Sequence, residues 1–255
     1  MGNPFDLSGH VTLVTGGNSG IGLGMAEGLA AAGASVCIWG RTEERNGAAR
    51  EQIAGHGGKV VAVRCDVSSP EEVEAGFAET LGQLGRIDSC FACAGVAAGF
   101  QPFLEMTPEE FNRVLAVNLN GTFLTLQGAA RNMVEHGEGG SLVGVASLAA
   151  LSGQPRGQNY AASKGGLISM VNSCAVELAR YGIRANSILP GWVESAMTDQ
   201  VLASQPFIDR VLPRIPARRW GRPADFAGIA VYLASSVSEY HTGDSFLIDG
   251  GYRAF

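Results

Sequence analysis

Short apolar runs alternate along the chain with longer segments whose apolar residues recur at helical spacing. Apolar runs of four to eight residues predict buried strands, and a period near 3.6 predicts amphipathic helices. The predicted strands are HVTLVT (10–15), SVCIWG (35–40), KVVAVRC (59–65), IDSCFACA (87–94), SLVGVAS (141–147), IRANSILP (183–190) and SFLID (245–249). The predicted helices cover 20–32, 43–55, 70–84, 108–135, 158–181 and 223–235.

This alternation predicts an α/β fold. Strands that read as near-continuous Val, Ile and Leu runs between helices are typical of a parallel sheet covered on both faces. The helices at 70–84 and 108–135 each follow a Ser or Thr and open with a proline and two glutamates, which is a helix start signal. Because no Gly/Ser/Pro-rich linker divides the sequence, we predict one doubly wound domain over 1–255, with an irregular insert at about 191–222.

Composition narrows the classes of partner. Only 16% of residues are charged, against about 25% in a typical globular chain. The net charge of −6 argues against nucleic acid, since phosphate binding needs a basic surface. We see no uniformly apolar stretch of membrane-spanning length and no signal peptide in MGNPFDLSGH, so we predict no membrane partner.

Cysteine and histidine usage points to a cytoplasmic protein without a metal. The five cysteines are odd in number and lie mostly inside apolar runs, which indicates buried, reduced thiols. The four histidines are scattered without the spacing of metal ligands, so no metal site is predicted.

A glycine-rich turn, TGGNSGIG (15–22), follows the first predicted strand and leads into the first helix. Glycine there lets the backbone approach a pyrophosphate, and the free N–H groups of the helix start bind its charge. The spacing departs from G-x-G-x-x-G, and a plain turn is the alternative. The predicted cofactor contacts are Gly16, Asn18, Ser19, Gly20, Ile21 and Gly22.

The end of the second predicted strand bears on the choice between NADP(H) and NAD(H). In a dinucleotide fold an acid at this point binds the ribose 2′-hydroxyl, whereas a nearby arginine accommodates a 2′-phosphate. Here Gly40 stands where the acid would be, and Arg41 follows, with Thr42 and Arg45 close behind. We therefore predict that NADP(H) is preferred and that NAD(H) is the alternative, unless Arg41 is only a solvated loop residue.

Tyr160 and Lys164 are separated by one helical turn in QNYAASKGG (158–166), so both project from the same helix face. Taken alone, such a pair is more often a solvated face than a proton-transfer device.

With these features the chain resembles the short-chain dehydrogenase/reductase family over nearly its whole length. The motifs that carry the resemblance are TGGNSGIG (15–22), CDVS (65–68), CAG (93–95), NLNG (118–121), VAS (145–147), YAASK (160–164), PG (190–191) and DGG (249–251). The resemblance implies a Rossmann-like sheet of about seven strands in the order 3-2-1-4-5-6-7, and an NAD(P)-dependent enzyme acting on CH–OH and C=O groups.

The resemblance also implies a catalytic tetrad at Asn118, Ser147, Tyr160 and Lys164. Tyr160 would exchange the proton of the reacting oxygen, and Ser147 would hydrogen-bond that oxygen. Lys164 would lower the pKa of Tyr160 and reach the ribose hydroxyls of the cofactor. Asn118 would hold a water that links Lys164 to solvent, and a helix-kink hydrogen bond is the alternative for this residue.

Further cofactor contacts follow from the same resemblance. They are Asp66, Val67, Ala94, Gly95, Tyr160, Lys164, Pro190, Gly191, Val193 and Ser195. Asp66 would lie near the adenine, with a turn or cap as its alternative role. The chain departs from the family at Cys93, where asparagine is common, and at Ser195, where threonine is common. A redox role for Cys93 is the lesser expectation, because thiols in apolar runs are usually inert.

The substrate is predicted less sharply. We expect contacts from Ser147 and Tyr160 and from Trp192 and Met197 of the insert, whose apolar composition favours a fairly apolar ketone or alcohol. Packing of the insert onto the body or a neighbouring subunit is the alternative. We further expect a homotetramer, or a homodimer, in line with the family.

Three other functions remain open. A reductase of 3-oxoacyl groups on an acyl carrier protein would need a basic docking face, where only Arg131 and Arg180 stand beside Glu135, Glu138 and Tyr181. An NAD-dependent alcohol or polyol dehydrogenase is opposed by Gly40 and Arg41. A non-catalytic, cofactor-binding sensor is opposed by the intact tetrad.

Overall fold

The strands form a seven-stranded parallel sheet in the computed structural model, which describes residues 3–255. They are β1 (Val11–Thr15), β2 (Ser35–Gly40), β3 (Val60–Arg64), β4 (Ser89–Ala92), β5 (Gly140–Val145), β6 (Ile183–Pro190) and β7 (Ser245–Ile248). Their order in the sheet, β3-β2-β1-β4-β5-β6-β7, confirms the predicted Rossmann-like fold. The predicted domain 1–255 begins with two residues that lie outside the described ones.

Helices follow the strands as the pattern predicts. They are α1 (Gly20–Ala31), α2 (Glu43–Ala54), α3 (Pro70–Leu84), α4 (Pro108–Leu115), α5 (Thr122–His136), α6 (Gln158–Leu178), α7 (Asp199–Leu202), α8 (Gln205–Val211) and α9 (Ala227–Ala234). The predicted start signals are real, since Ser69 Oγ accepts the Glu72 N–H at 3.2 Å and Thr107 Oγ1 accepts the Glu110 N–H at 3.2 Å.

Two apolar layers cover the sheet because successive strand residues point to opposite faces. Leu13 of β1 belongs to one layer, with Phe77 of α3 and Leu167 of α6. Its neighbour Val14 belongs to the other, with Met25 of α1. Because all seven strands are parallel, their carboxyl ends lie at the same edge of the sheet.

The structure corrects the single helix predicted over 108–135. A π-helical segment, Ala116–Gly121, separates α4 from α5 and contains Asn118. A π segment carries one extra residue per turn and leaves backbone groups without their usual helical partners. In this segment the Asn118 side chain forms hydrogen bonds with Val96, in the loop after β4.

Candidate active site

A cavity of about 430 Å³ opens at the carboxyl edge of the sheet, between the ends of β1 and β4, where the strand order reverses. It collects residues that are distant in sequence because parallel strands all end on this edge. All of the predicted cofactor residues line it, and so do Ser147 and Met197. Asn118 and Trp192 lie outside its lining.

The glycine-rich turn has a shape that side chains would prevent. Gly16 has a φ of +67°, and a Cβ there would lie 3.0 Å from the backbone of Ala94. A Cβ on Gly22 would collide with the carbonyl oxygen of Gly16. Ser19 caps α1 with extended backbone, and within the described chain its side chain gives no cap bond to the helix. The N–H groups at the start of α1 therefore face a cradle of small residues that fits a pyrophosphate.

The part of the cavity near the end of β2 carries two arginines. Arg41 and Arg45 both line it, and Arg41 Nη1 lies 3.9 Å from Asp66 Oδ2. Burial opposes ionisation of Asp66, but hydrogen bonds from Ser68 and the charges of Arg41 and Arg64 together lower its pKa. Asp66 Oδ1 accepts both the Ser68 N–H at 2.9 Å and the Ser68 hydroxyl at 2.6 Å, so it holds a turn while it lines the cavity.

Tyr160 and Lys164 lie one turn apart on α6, as the spacing predicts. Lys164 is only 4% exposed, and its Nζ donates to the carbonyl oxygen of Val145 at 2.7 Å. The same Nζ lies 5.7 Å from the centre of the Tyr160 ring. Burial lowers the pKa of Lys164 to about 8. The ammonium is thus anchored at the end of β5, beside the ring that it is expected to influence.

The pKa of Tyr160 moves opposite to the prediction made from Lys164. Burial raises it, and a hydrogen bond with Ser147 opposes the rise without overcoming it. Ser147 follows β5, and its Oγ also accepts the Ala149 N–H at 3.1 Å. Tyr160 is therefore a protonated phenol at neutral pH, which is the form that can give a proton to a carbonyl oxygen.

Asn118 is fully buried and bound to the loop after β4. Its Oδ1 accepts the Val96 N–H at 2.8 Å, and its Nδ2 donates to the Val96 carbonyl at 3.0 Å. A Cβ added at Gly95 would lie 3.2 Å from Asn118 Oδ1 and 3.7 Å from Lys164 Nζ. Asn118 thus makes the helix-distorting contact that was the alternative for it, and its Oδ1 lies, like Lys164 Nζ, close to Gly95.

Cys93 stands between the glycine-rich turn and the tetrad. The Gly22 N–H and the charge of Lys164 both act to lower the pKa of its thiol. Burial dominates and raises its pKa to about 11. The thiol is therefore protonated at neutral pH, which supports the inert interpretation over a redox role.

The insert after β6 closes one side of the cavity. Val193 pairs with Gly221 in a parallel bridge, and Thr198 Oγ1 donates to the Val193 carbonyl at 2.6 Å. Thr198 also binds Ser195, with 3.1 Å between the two hydroxyl oxygens. This turn holds Ser195 and Met197 at the cavity wall.

Trp192 is placed differently from the prediction. It lines a separate cavity of about 220 Å³, and its ring packs edge-to-face on Phe207 with 4.8 Å between ring centres. Its indole N–H has no hydrogen-bond partner among residues 3–255. Trp192 therefore packs against Phe207 within the insert, beside a cavity that Phe226 and Ile248 of the body also line, and it does not line the cavity that holds Tyr160.

Several residues at the cavity are not marked by any motif, among them Val96, Thr198 and Asn46. Val96 and Thr198 line it, and Asn46 supports its wall at Gly40. Val96 comes directly after the CAG motif and could have been found by extending it. Thr198 and Asn46 carry no pattern that distinguishes them from surface residues.

Other kinds of site find little support in the described part of the chain. Within residues 3–255, no three His, Cys, Asp or Glu side chains are grouped so that they could hold a metal ion. Among the helices described, none is both long enough and apolar enough to cross a membrane.

Comparison with known proteins places the chain in a family. The family model described as "Enoyl-(Acyl carrier protein) reductase" matches residues 16–253. A short-chain type dehydrogenase/reductase from Mycobacterium marinum has 38% sequence identity and a TM-score of 0.92, with 97% of both chains covered. The chain therefore belongs to the short-chain dehydrogenase/reductase family, and the resemblance seen in its motifs is confirmed.

Two further relatives carry names that describe a reaction. L-rhamnose 1-dehydrogenase (NAD(P)(+)) from Azotobacter vinelandii is 39% identical over 249 residues, which cover 96% of this chain and 97% of that protein. A gluconate 5-dehydrogenase from Burkholderia cenocepacia, solved with NADP and tartrate, is 32% identical with a TM-score of 0.93, covering 99% of this chain and 98% of that one. This chain is accordingly an NAD(P)-dependent oxidoreductase that acts on CH–OH and C=O groups.

Proposed function

We propose that the protein uses NADP(H) to interconvert a neutral ketone and the corresponding secondary alcohol. The observation that carries this proposal is the single cavity that runs from Arg41 and Arg45 to Ser147 and Tyr160. One end is suited to a 2′-phosphate, and the other presents a hydroxyl and a phenol to a carbonyl oxygen. A bound NADP(H) would place its 2′-phosphate at the arginines and its nicotinamide ring at Ser147 and Tyr160.

The residues divide the chemistry between them. A bound nicotinamide would supply the hydride to the carbonyl carbon, or accept it in the reverse reaction. The substrate oxygen accepts hydrogen bonds from Ser147 and Tyr160, which stabilise the negative charge that grows on it. The O–H bond of Tyr160 then breaks as a new O–H bond forms on the product alcohol. The buried ammonium of Lys164 stabilises the resulting phenolate.

Lys164 and Asn118 would complete the site. Lys164 would hold the ribose hydroxyls of the cofactor, since its Nζ lines the cavity beside Tyr160. Asn118 Oδ1 and Lys164 Nζ both lie close to Gly95, and Asn118 would hold the water that returns a proton to Lys164. Gly16, Gly20, Gly22 and the start of α1 would hold the pyrophosphate.

The substrate proposal rests on the walls near the tetrad. Val96, Val193, Ala196 and Met197 line the same cavity as Ser147 and Tyr160, and the charged Lys164 lies one helical turn from Tyr160, with 5.7 Å between its Nζ and the ring centre. Lys164 is assigned to the cofactor, and the four apolar residues offer no partner for a carboxylate on the substrate, so we favour a neutral and fairly apolar ketone. A neutral polyol or sugar is the second candidate, favoured by the 39% identity to the rhamnose dehydrogenase.

Docking of an acyl carrier protein has weaker support. Glu138 is held by Arg86 at 2.8 Å, and Arg180 stacks on Tyr181 with 5.0 Å to the ring centre. The basic side chains in the region of the predicted docking face are thus few, and Arg86 and Arg180 already contact neighbouring side chains.

We also propose a cytoplasmic homotetramer. The five cysteines are free thiols, as a reducing compartment maintains them. Phe123 on α5 and Val176 on α6 are exposed, and β7 is only half-buried at the edge of the sheet. Apolar surface of this kind is typical of subunit contacts.

The proposal is tested by NADPH consumption with ketones, β-keto esters, acyl thioesters, quinones, sugars and sugar acids, with NADH in parallel. We expect turnover of neutral ketones with at least tenfold higher kcat/KM for NADPH than for NADH. Turnover of sugars alone would move the assignment to the polyol candidate. A preference for NADH, or for sugar acids, would contradict the proposal.

A further inference from the structure

Gly40, at the end of β2, has no space for a side chain. A Cβ added there would collide with Asn18 Nδ2 and with Asn46 Oδ1. The backbone itself does not require glycine, because the φ of Gly40 lies outside the positive range and the residue pairs in register with Arg64 of β3. Glycine is therefore required at position 40 because the side chains of Asn18 and Asn46 occupy the space beside it.

Asn46 is the residue that fills this space. It is 3% exposed, on the first turn of α2, and its Nδ2 donates to the carbonyls of Gly40 at 2.9 Å and Val63 at 3.1 Å. Its Oδ1 accepts the Nδ2–H of Asn18 at 2.7 Å. Because both ends of the amide are bound, it cannot turn aside without leaving buried polar groups unpaired.

We propose that Asn46 sets the cofactor selectivity by closing position 40 to every side chain. An acid at this position is the group that binds a ribose 2′-hydroxyl. With that place taken, the end of β2 offers only Arg41 and, from α2, Arg45, which suit a 2′-phosphate. This inference rests on the NADP(H) preference proposed above and names the residue that enforces it.

The same contact couples the pyrophosphate cradle to the end of the binding site that is suited to the 2′-phosphate. Asn18 belongs to the glycine-rich turn, so its bond to Asn46 joins the pyrophosphate cradle to the end of β2. A side chain forced in at position 40 displaces Asn18 as well as Asn46. The structure therefore predicts that an acid introduced alone weakens binding of both cofactors instead of exchanging one for the other.

The test is a double-mutant cycle on cofactor binding, with the dissociation constants of NADPH and NADH measured by calorimetry on the full chain. Gly40→Asp should weaken NADPH binding at least tenfold and leave NADH binding no tighter than in the wild type. In the Asn46→Ala background, where Asn18 is free to rotate, Gly40→Asp should shift the ratio of the two constants at least tenfold toward NADH.

A second cycle keeps the packing claim testable if Gly40→Asp folds poorly. Gly40→Ala should lower the melting temperature in the wild type and have a much smaller effect in the Asn46→Ala background. The matched control is Gly47→Ala on the same helix, where an added Cβ meets no described atom within 4 Å, and it should leave the melting temperature unchanged or raise it.

The possible failures are distinguishable. Wild-type protein that binds NADH at least as tightly as NADPH would show that the proposed cofactor preference is wrong. A wild type that prefers NADPH, but that Gly40→Asp alone converts to NADH, would leave the preference intact and overturn the role of Asn46. Equal effects of Gly40→Ala in both backgrounds would also overturn it.

Discussion

Lys164 illustrates how far burial changes the chemistry of one residue. Its pKa falls to about 8 in the fold, whereas the unfolded chain keeps the ordinary value of 10.5. Between these two values the unfolded state binds the additional proton, so the stability contributed by this group rises with pH. At pH 7 the buried ammonium costs about 3 kcal/mol of unfolding free energy.

This cost can be measured against Lys164→Met, which removes the charge and keeps an apolar chain of similar length. From pH 7 to pH 9.5 the wild type should gain about 2 kcal/mol relative to the variant, measured as the free energy of urea unfolding of the cofactor-free proteins. The buried cysteines are present in both proteins, so their contribution to the pH dependence of the unfolding free energy cancels in the difference. A difference that stays constant with pH would contradict the shifted pKa.

Residue types with a recognised chemistry could be located from the sequence, and supporting residues could not. Tyr160, Lys164 and Ser147 follow from motifs, and the structure brings them together. Asn46 could not be found, because its role depends on a collision with Gly40 that appears only when α2 packs against β2. The rise in the pKa of Tyr160 could not be predicted either, because it comes from burial, which depends on the whole fold.

At the scale of elements, the π segment at Ala116–Gly121 connects the tetrad to the loop after β4. Asn118 binds both the N–H and the C=O of Val96, and Thr122 Oγ1 donates to the Asn118 carbonyl at 2.9 Å. The helical period of 108–135 is nearly continuous, so the sequence predicted one helix. Only the long-range bonds to Val96 reveal why the helix is interrupted at this point.

Asn118→Ala should lower the free energy of unfolding by about 1–3 kcal/mol, because it leaves both backbone groups of Val96 without their partner. It should also lower kcat at least tenfold, since the residue supports the cavity wall and Lys164. Asn112→Ala, at an exposed position of α4, is the matched control and should change neither quantity measurably. Full activity of Asn118→Ala would contradict this role.

Strand positions were more predictable than the insert. The bounds of β2 and β6 agree with the predicted 35–40 and 183–190, although β6 also contains Arg184, Asn186 and Ser187. The insert at 191–222 has no single period. Its short helices α7 and α8 are fixed by contacts such as that of Trp192 with Phe207, which the sequence does not specify.

At the scale of the whole molecule, exposed apolar residues on α5 and α6 point to association. Val176 is 83% exposed, next to the buried Ala175 of α6. Val176→Arg should dissociate the proposed tetramer into smaller species, measured by light scattering after gel filtration, because it places a charge in an apolar contact. Ala48→Arg on α2 is the control and should leave the mass unchanged. An unchanged mass for Val176→Arg would exclude this face.

At the same scale, the central proposal is that Tyr160 is the proton donor of an NADP(H)-dependent carbonyl reduction. The most direct test is Tyr160→Phe, assayed by NADPH oxidation with the best substrate and by calorimetric binding of NADPH. Tyr240→Phe, on a fully exposed tyrosine, is the matched control.

We expect Tyr160→Phe to lower kcat by about 10²- to 10⁴-fold, while NADPH binding stays close to that of the wild type and Tyr240→Phe remains fully active. A Tyr160→Phe enzyme that keeps its kcat within a few-fold of the wild type would contradict the assignment.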